Sequence, residues 1–373
     1  MKIKGSATPS GTTSYRKRFE GKTSSNHFQT LHSPLSQLQL SSLGLGTYLG
    51  QPDDDTDQHL QDIVQKAIQN GINVIDTAIN YRFQRAERSI GRALAKILEE
   101  NNIKREEILI STKGGFIPFD GEEPLDSFSY LQETFIEPGI IQFEEIVAGC
   151  HCISPAYIQN QIDTSLTNLG LESIDIYFVH NPETQLAEVS REEFLKRMKA
   201  VFETLEKNVA DGKIKMYGTA TWNGYRIHPK AKEFLNLSEL INLAQNIAGP
   251  NHHFKAIQLP YNLAMPEALL LRNQELDGES VSILTAAERL GLIVMSSASL
   301  LQGKLSKELP QKIKDLLKNL KTSAQKSIQF VRSTPGITTA LVGMKTKDHL
   351  EENIQTMNFD FQPEAVLKVF QPE

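Results

Sequence analysis

The stretch Ile72-Asn73-Val74-Ile75-Asp76-Thr77-Ala78-Ile79-Asn80-Tyr81 decides the fold. A short apolar run, Ile72 to Asp76, ends on a carboxylate, and a phenol follows at Tyr81. The design recurs twice: Ile108 to Lys113 ends on an ammonium ahead of Gly114-Gly115, and Ile174-Asp175-Ile176-Tyr177-Phe178-Val179-His180 ends on an imidazole. Short runs of this kind between turn signals read as strands buried in a parallel sheet, and each delivers one chemically active side chain near its end.

Helical patterns separate these runs. Ile63, Val64, Ala67 and Ile68 share one helix face that stops near Gly71, and Ile90, Leu94, Ile97 and Leu98 share another. Ser154 as N-cap with Pro155 at the first helical position opens a third, which carries Ile158, Ile162, Leu166 and Leu169 and ends at Gly170. Phe194, Met198, Val201, Phe202, Leu205 and Val209 mark a fourth, which stops at Gly212. Further strands are predicted at Leu43–Thr47, Lys215–Thr219, Ala256–Leu259, Leu292–Ser296 and Thr338–Val342. Eight strand–helix units in series predict an α/β fold, a (β/α)8 TIM barrel rather than a doubly wound sheet, and place the active residues at its C-terminal mouth. The barrel is expected over residues 36–373, after a disordered tail at 1–35. A long insert at 114–153, rich in Gly, Pro, Phe and Glu, leaves the end of the lysine strand and is expected to act as a lid or pocket wall.

Bulk composition narrows the function. The chain has 373 residues, 23% charged, with a net charge of −6, which gives no footprint for nucleic acid. No apolar run approaches the roughly 18 residues of a membrane span. Cys150 and Cys152 stand too close together to be a disulfide framework, so a reducing, cytoplasmic setting is expected. Residues 1–35 are rich in Ser, Thr, Lys and Arg with Glu20 as the only acid; this fits a disordered tail, and an organellar transit peptide stays open. Cys150-His151-Cys152 is not read as a metal site, because adjacent ligands need a tight turn to meet one ion. His252-His253, after Gly249-Pro250, reads as a solvated loop.

Asp76, Tyr81, Lys113 and His180 together can deliver a proton to a carbonyl oxygen. A free phenol titrates near 10 and is a poor acid at neutral pH. The Lys113 ammonium would lower that value, Asp76 would keep Lys113 charged, and a neutral His180 would donate a hydrogen bond to the oxygen. None of the four supplies a hydride, so carbonyl reduction demands a nicotinamide or a flavin.

At this point the chain resembles the aldo/keto reductases, from about Leu43 to Leu367. Asp76-Thr77-Ala78-x-x-Tyr81 with Glu87, Gly91 and Leu94 is similar to the family's Asp–Tyr signature, Ser111-Thr112-Lys113 to its lysine strand, and Asp175-x-Tyr177-x-x-His180-Asn181-Pro182 to its histidine motif. Gly212-Lys213-Ile214, Gln258-x-x-Tyr261-Asn262 and Leu350-Glu351-Glu352-Asn353 continue the series in family order. The resemblance implies a barrel that binds NADPH without a Rossmann fold and an enzyme that reduces an aldehyde or ketone, or runs in reverse as a sugar or alcohol dehydrogenase. By it, Tyr81 is the general acid, Asp76 and Lys113 tune it, and His180 orients the carbonyl. Gln258 would meet the nicotinamide carboxamide, Glu352 and Asn353 the adenine, and Lys345 and Thr346 in Gly343-Met344-Lys345-Thr346-Lys347 the 2′-phosphate. Two positions depart from the family pattern. The Ser-Asn pair expected after the fifth strand is replaced by Ala220 and Thr221, leaving Thr221 as the side-chain partner. The aromatic expected at the seventh strand is replaced by Ser297, or by Met295 if the alignment shifts. Trp222 reads equally as a pocket wall or as packing. Two other readings stay open: a cofactor-binding regulatory module, as in the β subunits of potassium channels, and a Schiff-base aldolase with Lys113 as nucleophile, which Asp76 disfavours.

Overall fold

The computed structural model describes residues 2–30, 37–100 and 103–371. An antiparallel pair, β1 (Phe28–Thr30) and β2 (Gln39–Ser41), precedes the barrel. The barrel strands are β3 (Leu43–Gly46), β4 (Val74–Asp76), β5 (Leu109–Gly114), β6 (Ile174–His180), β7 (Ile214–Ala220) and β8 (Phe254–Pro260), then, after the small hairpin β9 (Gln274–Leu276) and β10 (Glu279–Val281), β11 (Ile293–Ser297) and β12 (Thr339–Gly343). All eight barrel strands run parallel and close in the order β11-β12-β3-β4-β5-β6-β7-β8. Each strand expected from the sequence is present, with ends displaced by at most two residues.

Alternation along each strand explains the location of the chemistry. Side chains of a strand point to opposite faces in turn, so every second residue enters the barrel. Val74, Leu109, Ile176, Phe178, Ala256, Ile293 and Met295 form one interior cluster. Stepping two residues toward the C-terminal end from Val74 reaches Asp76, from Phe178 His180, from Ala256 Gln258 and from Met295 Ser297. Two such steps from Leu109 reach Lys113. The outward set, including Ile75, Ile110, Tyr177 and Val179, packs beneath the helices in the main core. Helix Arg85–Glu100 can approach helix Pro155–Asn168 because Gly91 has no side chain; a Cβ there would meet the Asn168 carbonyl oxygen at 2.7 Å.

Residues 2–30 correct the expected disordered tail, while Met1 and residues 31–35 of that expectation lie outside the described residues. Helix Pro9–Lys17 packs against the barrel, and Tyr15 is fully buried, with its hydroxyl donating to the Ile68 carbonyl. Tyr15, Phe19 and Phe28 form an aromatic cluster. The physical reason is that these few large side chains outweigh a polar composition once they find a common apolar surface. Leu38 and Leu40 join the interior cluster and close the N-terminal end of the barrel, with Ala7 packed against it. Asp175 ties that end together: its carboxylate accepts from Ala7 N (2.6 Å), Ile110 N (2.7 Å) and Arg105 (2.6 Å). In the histidine motif, therefore, Asp175 is structural and lies at the opposite end of β6 from His180.

His27 knits this segment to the C-terminal half. Arg332 Nε donates to Ser42 Oγ (3.0 Å), Ser42 contacts His27 Nδ1 (3.1 Å), and His27 Nε2 contacts the Gly71 carbonyl (2.9 Å). A carbonyl only accepts, so His27 carries a proton on Nε2, and in the neutral ring Nδ1 accepts from the Ser42 hydroxyl. Burial, with the nearby Arg332 charge adding to it and the Gly71 bond opposing it, lowers its pKa to about 3. Unfolded, it would titrate near 6.5. Over that window the native state binds fewer protons, so the stability His27 confers is complete above about pH 6.5 and is lost as pH falls toward 3. Urea unfolding between pH 6 and 4 should show a loss of about 1.4 kcal/mol per pH unit from this residue, and His27→Gln should remove that part of the slope. An unchanged slope in the variant would contradict the assignment.

Candidate active site

A cavity of about 810 Å³ opens at the C-terminal mouth of the barrel. Asp76, Tyr81, His180, Thr221, Gln258, Lys345, Glu352 and Asn353 all line it, so the structure brings together most of the residues singled out in the sequence. Lys113 lies just beneath, fully buried, and donates from Nζ to Asp76 Oδ2 (2.7 Å) and the Thr77 carbonyl (2.6 Å). Its third contact, at 3.4 Å, is the Tyr81 hydroxyl. Asp76 Oδ1 accepts from Ser111 Oγ (2.7 Å) and Gln258 Nε2 (2.9 Å), so the carboxylate on β4 is held by three side chains from two other strands, β5 and β8.

The titration of these groups follows from that packing. Burial pulls the Lys113 ammonium down, but the Asp76 carboxylate and Tyr81 outweigh it and hold its pKa above the ordinary value. A lysine so held is a poor amine nucleophile at neutral pH. For Tyr81, burial raises the pKa and the Lys113 charge lowers it, and burial prevails. The phenol therefore sits above its ordinary range, a correction to the expectation that Lys113 would bring it down overall. His180 is driven well below its ordinary value by burial, then by the Lys113 charge and by His151, and is neutral at physiological pH. Its Nδ1 is buried without a hydrogen-bond partner.

Tyr81 comes from a loop, and its backbone setting is unusual. The next three residues, Arg82, Phe83 and Gln84, all adopt positive φ of 51°, 55° and 68°. Left-handed conformations cost L-residues roughly 1–2 kcal/mol each, so side chains must hold this turn. Arg82 does so by donating to the Gln51 carbonyl (2.9 Å) and pairing with buried Asp57. Gln84 donates to the Phe119 carbonyl (3.1 Å). The Tyr81 ring meets Tyr48 edge-on at 5.1 Å and His180 edge-on at 6.0 Å.

Other expectations fare differently. Thr346 does not line the cavity; its hydroxyl caps helix Lys347–Ile354 by accepting from His349 N (3.2 Å). Lys347 pairs with Glu351 (3.3 Å), which leaves Lys345 as the lysine of that loop on the cavity wall. Ser297 lines the cavity where an aromatic was expected, whereas Met295 lies deeper, in the interior cluster. Trp222 also lines the cavity and is 46% exposed, which favours the pocket-wall reading over packing. His252 is buried, not solvated. Among the described residues no group of three or more His, Cys, Asp or Glu could hold a metal ion.

Sequence reasoning missed Tyr48, Phe116, Asn181, His349 and the loop Ser299–Gly303, which line the same cavity. Leu301 and Gln302 in that loop, and Ala298 just before it, adopt positive φ, which their residue types do not announce. Asn181 was visible within the histidine motif, but nothing in its type gave it a role.

The family model for the aldo/keto reductases matches residues 42–369. The chain belongs to the aldo/keto reductase family. It is 22% identical over 366 residues to a putative voltage-gated potassium channel subunit beta from Schizosaccharomyces pombe, covering 93% of this chain and 95% of that one. It is 28% identical over 210 residues to an NADH-specific methylglyoxal reductase from Escherichia coli, covering 55% of this chain and 54% of the other. A solved aldo/keto reductase from Klebsiella pneumoniae, in complex with NADP and acetate, shares the fold with a TM-score of 0.60 at 19% identity, over 89% of this chain and 91% of its own. No helix among the described residues is long and apolar enough to cross a membrane.

Breaking a buried pair leaves an uncompensated charge, whereas replacing both partners by apolar groups often costs little. In this aldo/keto reductase, Lys113→Met should lower stability by about 3–5 kcal/mol in urea unfolding. The double variant Asp76→Leu/Lys113→Met should lose less than Lys113→Met alone; a larger loss would mean that the pair itself stabilises the barrel.

Proposed function

We propose that this protein is an NADPH-dependent reductase of aldehydes or ketones, with Tyr81 as the proton donor. The observation that carries the reading is a phenol, a buried ammonium and a neutral imidazole meeting at the end of one cavity. The far wall suits a dinucleotide. Asn353 Oδ1 is buried there without a partner and can accept from an adenine amine, beside Glu352. Lys345 can meet a 2′-phosphate, and the left-handed loop Ala298–Gln302 can turn backbone N–H groups toward the pyrophosphate. Gln258 and Thr221 line the same cavity beside Asp76 and would hold the nicotinamide there. Bound there, the nicotinamide supplies a hydride to the carbonyl carbon.

The chain's own residues manage the oxygen. Neutral His180 donates a hydrogen bond that orients the carbonyl and stabilises the charge growing on it. Tyr81 gives up its hydroxyl proton to that oxygen. The phenolate left behind faces the Lys113 ammonium across low-dielectric surroundings, where the attraction is strong. Asp76 balances Lys113 in the resting state, so the set begins with no net charge. Tyr48, Phe116 and Trp222 line the cavity with aromatic surface beside the oxygen site.

Tyr81→Phe should lower kcat for carbonyl reduction by about 10²–10⁴ while leaving the NADPH Kd unchanged, measured by NADPH consumption and fluorescence titration. Turnover at the wild-type rate would sink the mechanism. The likeness to a potassium channel β subunit supports a second reading, a cofactor-binding regulatory module; NADPH binding without turnover on a broad carbonyl panel would favour it. Borohydride trapping of a substrate on Lys113 would instead revive the aldolase. Lys345→Met should weaken NADPH about tenfold and NADH little, in line with one lost charge-assisted contact.

A further inference from the structure

The insert reaches the reaction centre through its two ends. Phe116 and Val147 each bridge to His151 in antiparallel fashion, Ile117 N donates to the Cys150 carbonyl (2.8 Å), and Cys152 N donates to the Gly115 carbonyl (2.9 Å). The excursion is thus zipped at its base, with His151 fully buried in the stem. His151 Nε2 lies 2.7 Å from the His180 carbonyl oxygen, and Nδ1 lies 2.8 Å from Gln185 Nε2. Arg197 Nη1 donates to Gln185 Oε1 at 2.7 Å. Arginine has no acceptor, so the Gln185 oxygen must face it and the amide N–H must face His151. His151 Nδ1 is then an acceptor, and the neutral ring carries its proton on Nε2, aimed at His180. Burial lowers the His151 pKa to about 4, partly opposed by the His180 bond, which keeps the ring in that neutral form.

The peptide that His151 holds is the one between His180 and Asn181. Its other side is held too, because Asn181 N donates to the Ala220 carbonyl at 2.6 Å. The peptide is therefore clamped at both its carbonyl and its N–H, just where Asn181 turns left-handed (φ 41°). His180 and Asn181 both face the cavity. Phe116, from the other strand of the stem, packs edge-on against the His180 ring at 5.1 Å and the His151 ring at 5.0 Å. Gly115 makes room for this: a Cβ there would stand 2.6 Å from the His180 oxygen and 2.9 Å from His151 Nε2.

We propose that His151, supplied by the insert, is a positioning residue for carbonyl reduction: its Nε2–H bond to the His180 carbonyl fixes the His180–Asn181 peptide and so aims the imidazole that orients the substrate. The kinetic part of the test rests on the reductase reading; the spectroscopic part does not. His151→Phe keeps a flat ring without a donor, and His151→Gln keeps an amide donor. With melting temperature and NADPH Kd followed alongside, His151→Phe should lose kcat at least tenfold at nearly unchanged NADPH Kd, and His151→Gln should recover most of the loss. His151→Phe with kcat within twofold of wild type, or His151→Gln impaired as deeply as His151→Phe, overturns the proposal. Histidine 15N NMR of the wild-type protein, with the His151 ring signals assigned by through-bond correlation to its own backbone, should show the Nε2–H tautomer at neutral pH. An Nδ1–H tautomer or an imidazolium there overturns the proposal even if neither variant folds. A wild-type protein that turns over no carbonyl but shows the expected tautomer would fail the reductase reading while leaving the clamp intact.

Discussion

The buried pair of Asp76 and Lys113 is the constraint around which the mouth of the barrel is arranged. Two opposite charges taken out of water are costly, and only close contact with satisfied hydrogen bonds offsets that cost. The structure meets this demand from several strands at once: β4 supplies Asp76, β5 supplies Lys113 and Ser111, and β8 supplies Gln258. Their inward positions follow from strand alternation and barrel closure, so the pair can form only when these strands are in register. Fold and chemistry are therefore coupled at one point. The same ammonium that Asp76 stabilises is the one that faces the Tyr81 hydroxyl.

Charge control in this site works by opposition. Burial alone would empty the site of ions, raising phenols and carboxylic acids and lowering amines and imidazoles. His180 follows burial and loses its charge, whereas Lys113 resists because a carboxylate touches it. Tyr81 lies between these cases, pulled by burial and by Lys113 in opposite directions. The result is one neutral donor, one neutral acid and one permanent cation within a few ångströms, an arrangement suited to receiving negative charge on an oxygen.

Much of this was legible in the sequence. Asp76, Lys113, His180 and Gln258 each end or nearly end a short apolar run, and alternation carries them into one mouth without further information. What escaped lies where backbone geometry, not side-chain pattern, places the residue. Phe116 and His151 belong to an insert with no useful periodicity, and they meet His180 because main-chain bonds zip its ends together. The left-handed run of Arg82, Phe83 and Gln84 contradicts the local preferences of those residue types and is held by Arg82 and Gln84 contacts distant in sequence. Residues 2–30 misled through composition: abundant serine, threonine and lysine concealed Tyr15, His27 and Phe28, all buried. Thr346 is subtler, since a hydroxyl beside lysines suits a phosphate as well as a helix cap, and here its oxygen caps the helix.

The zipped stem of the insert has a consequence for how such a barrel can diversify. Because Phe116–Ile117 returns directly against Cys150–Cys152, the chain between them leaves and re-enters at nearly one point. Closing a longer or shorter excursion from a fixed stem changes the entropic cost only slowly with length. Between Ile117 and Val147 the exposed faces, such as those bearing Leu125, Phe128 and Phe143, can thus be exchanged while His180 keeps its footing, as long as Phe119 keeps its bond from Gln84 and Phe135 and Ile141 stay in the core. A lineage carrying this stem could vary the outer surface around the mouth while the inner contacts that hold Tyr81 and His180 stay fixed.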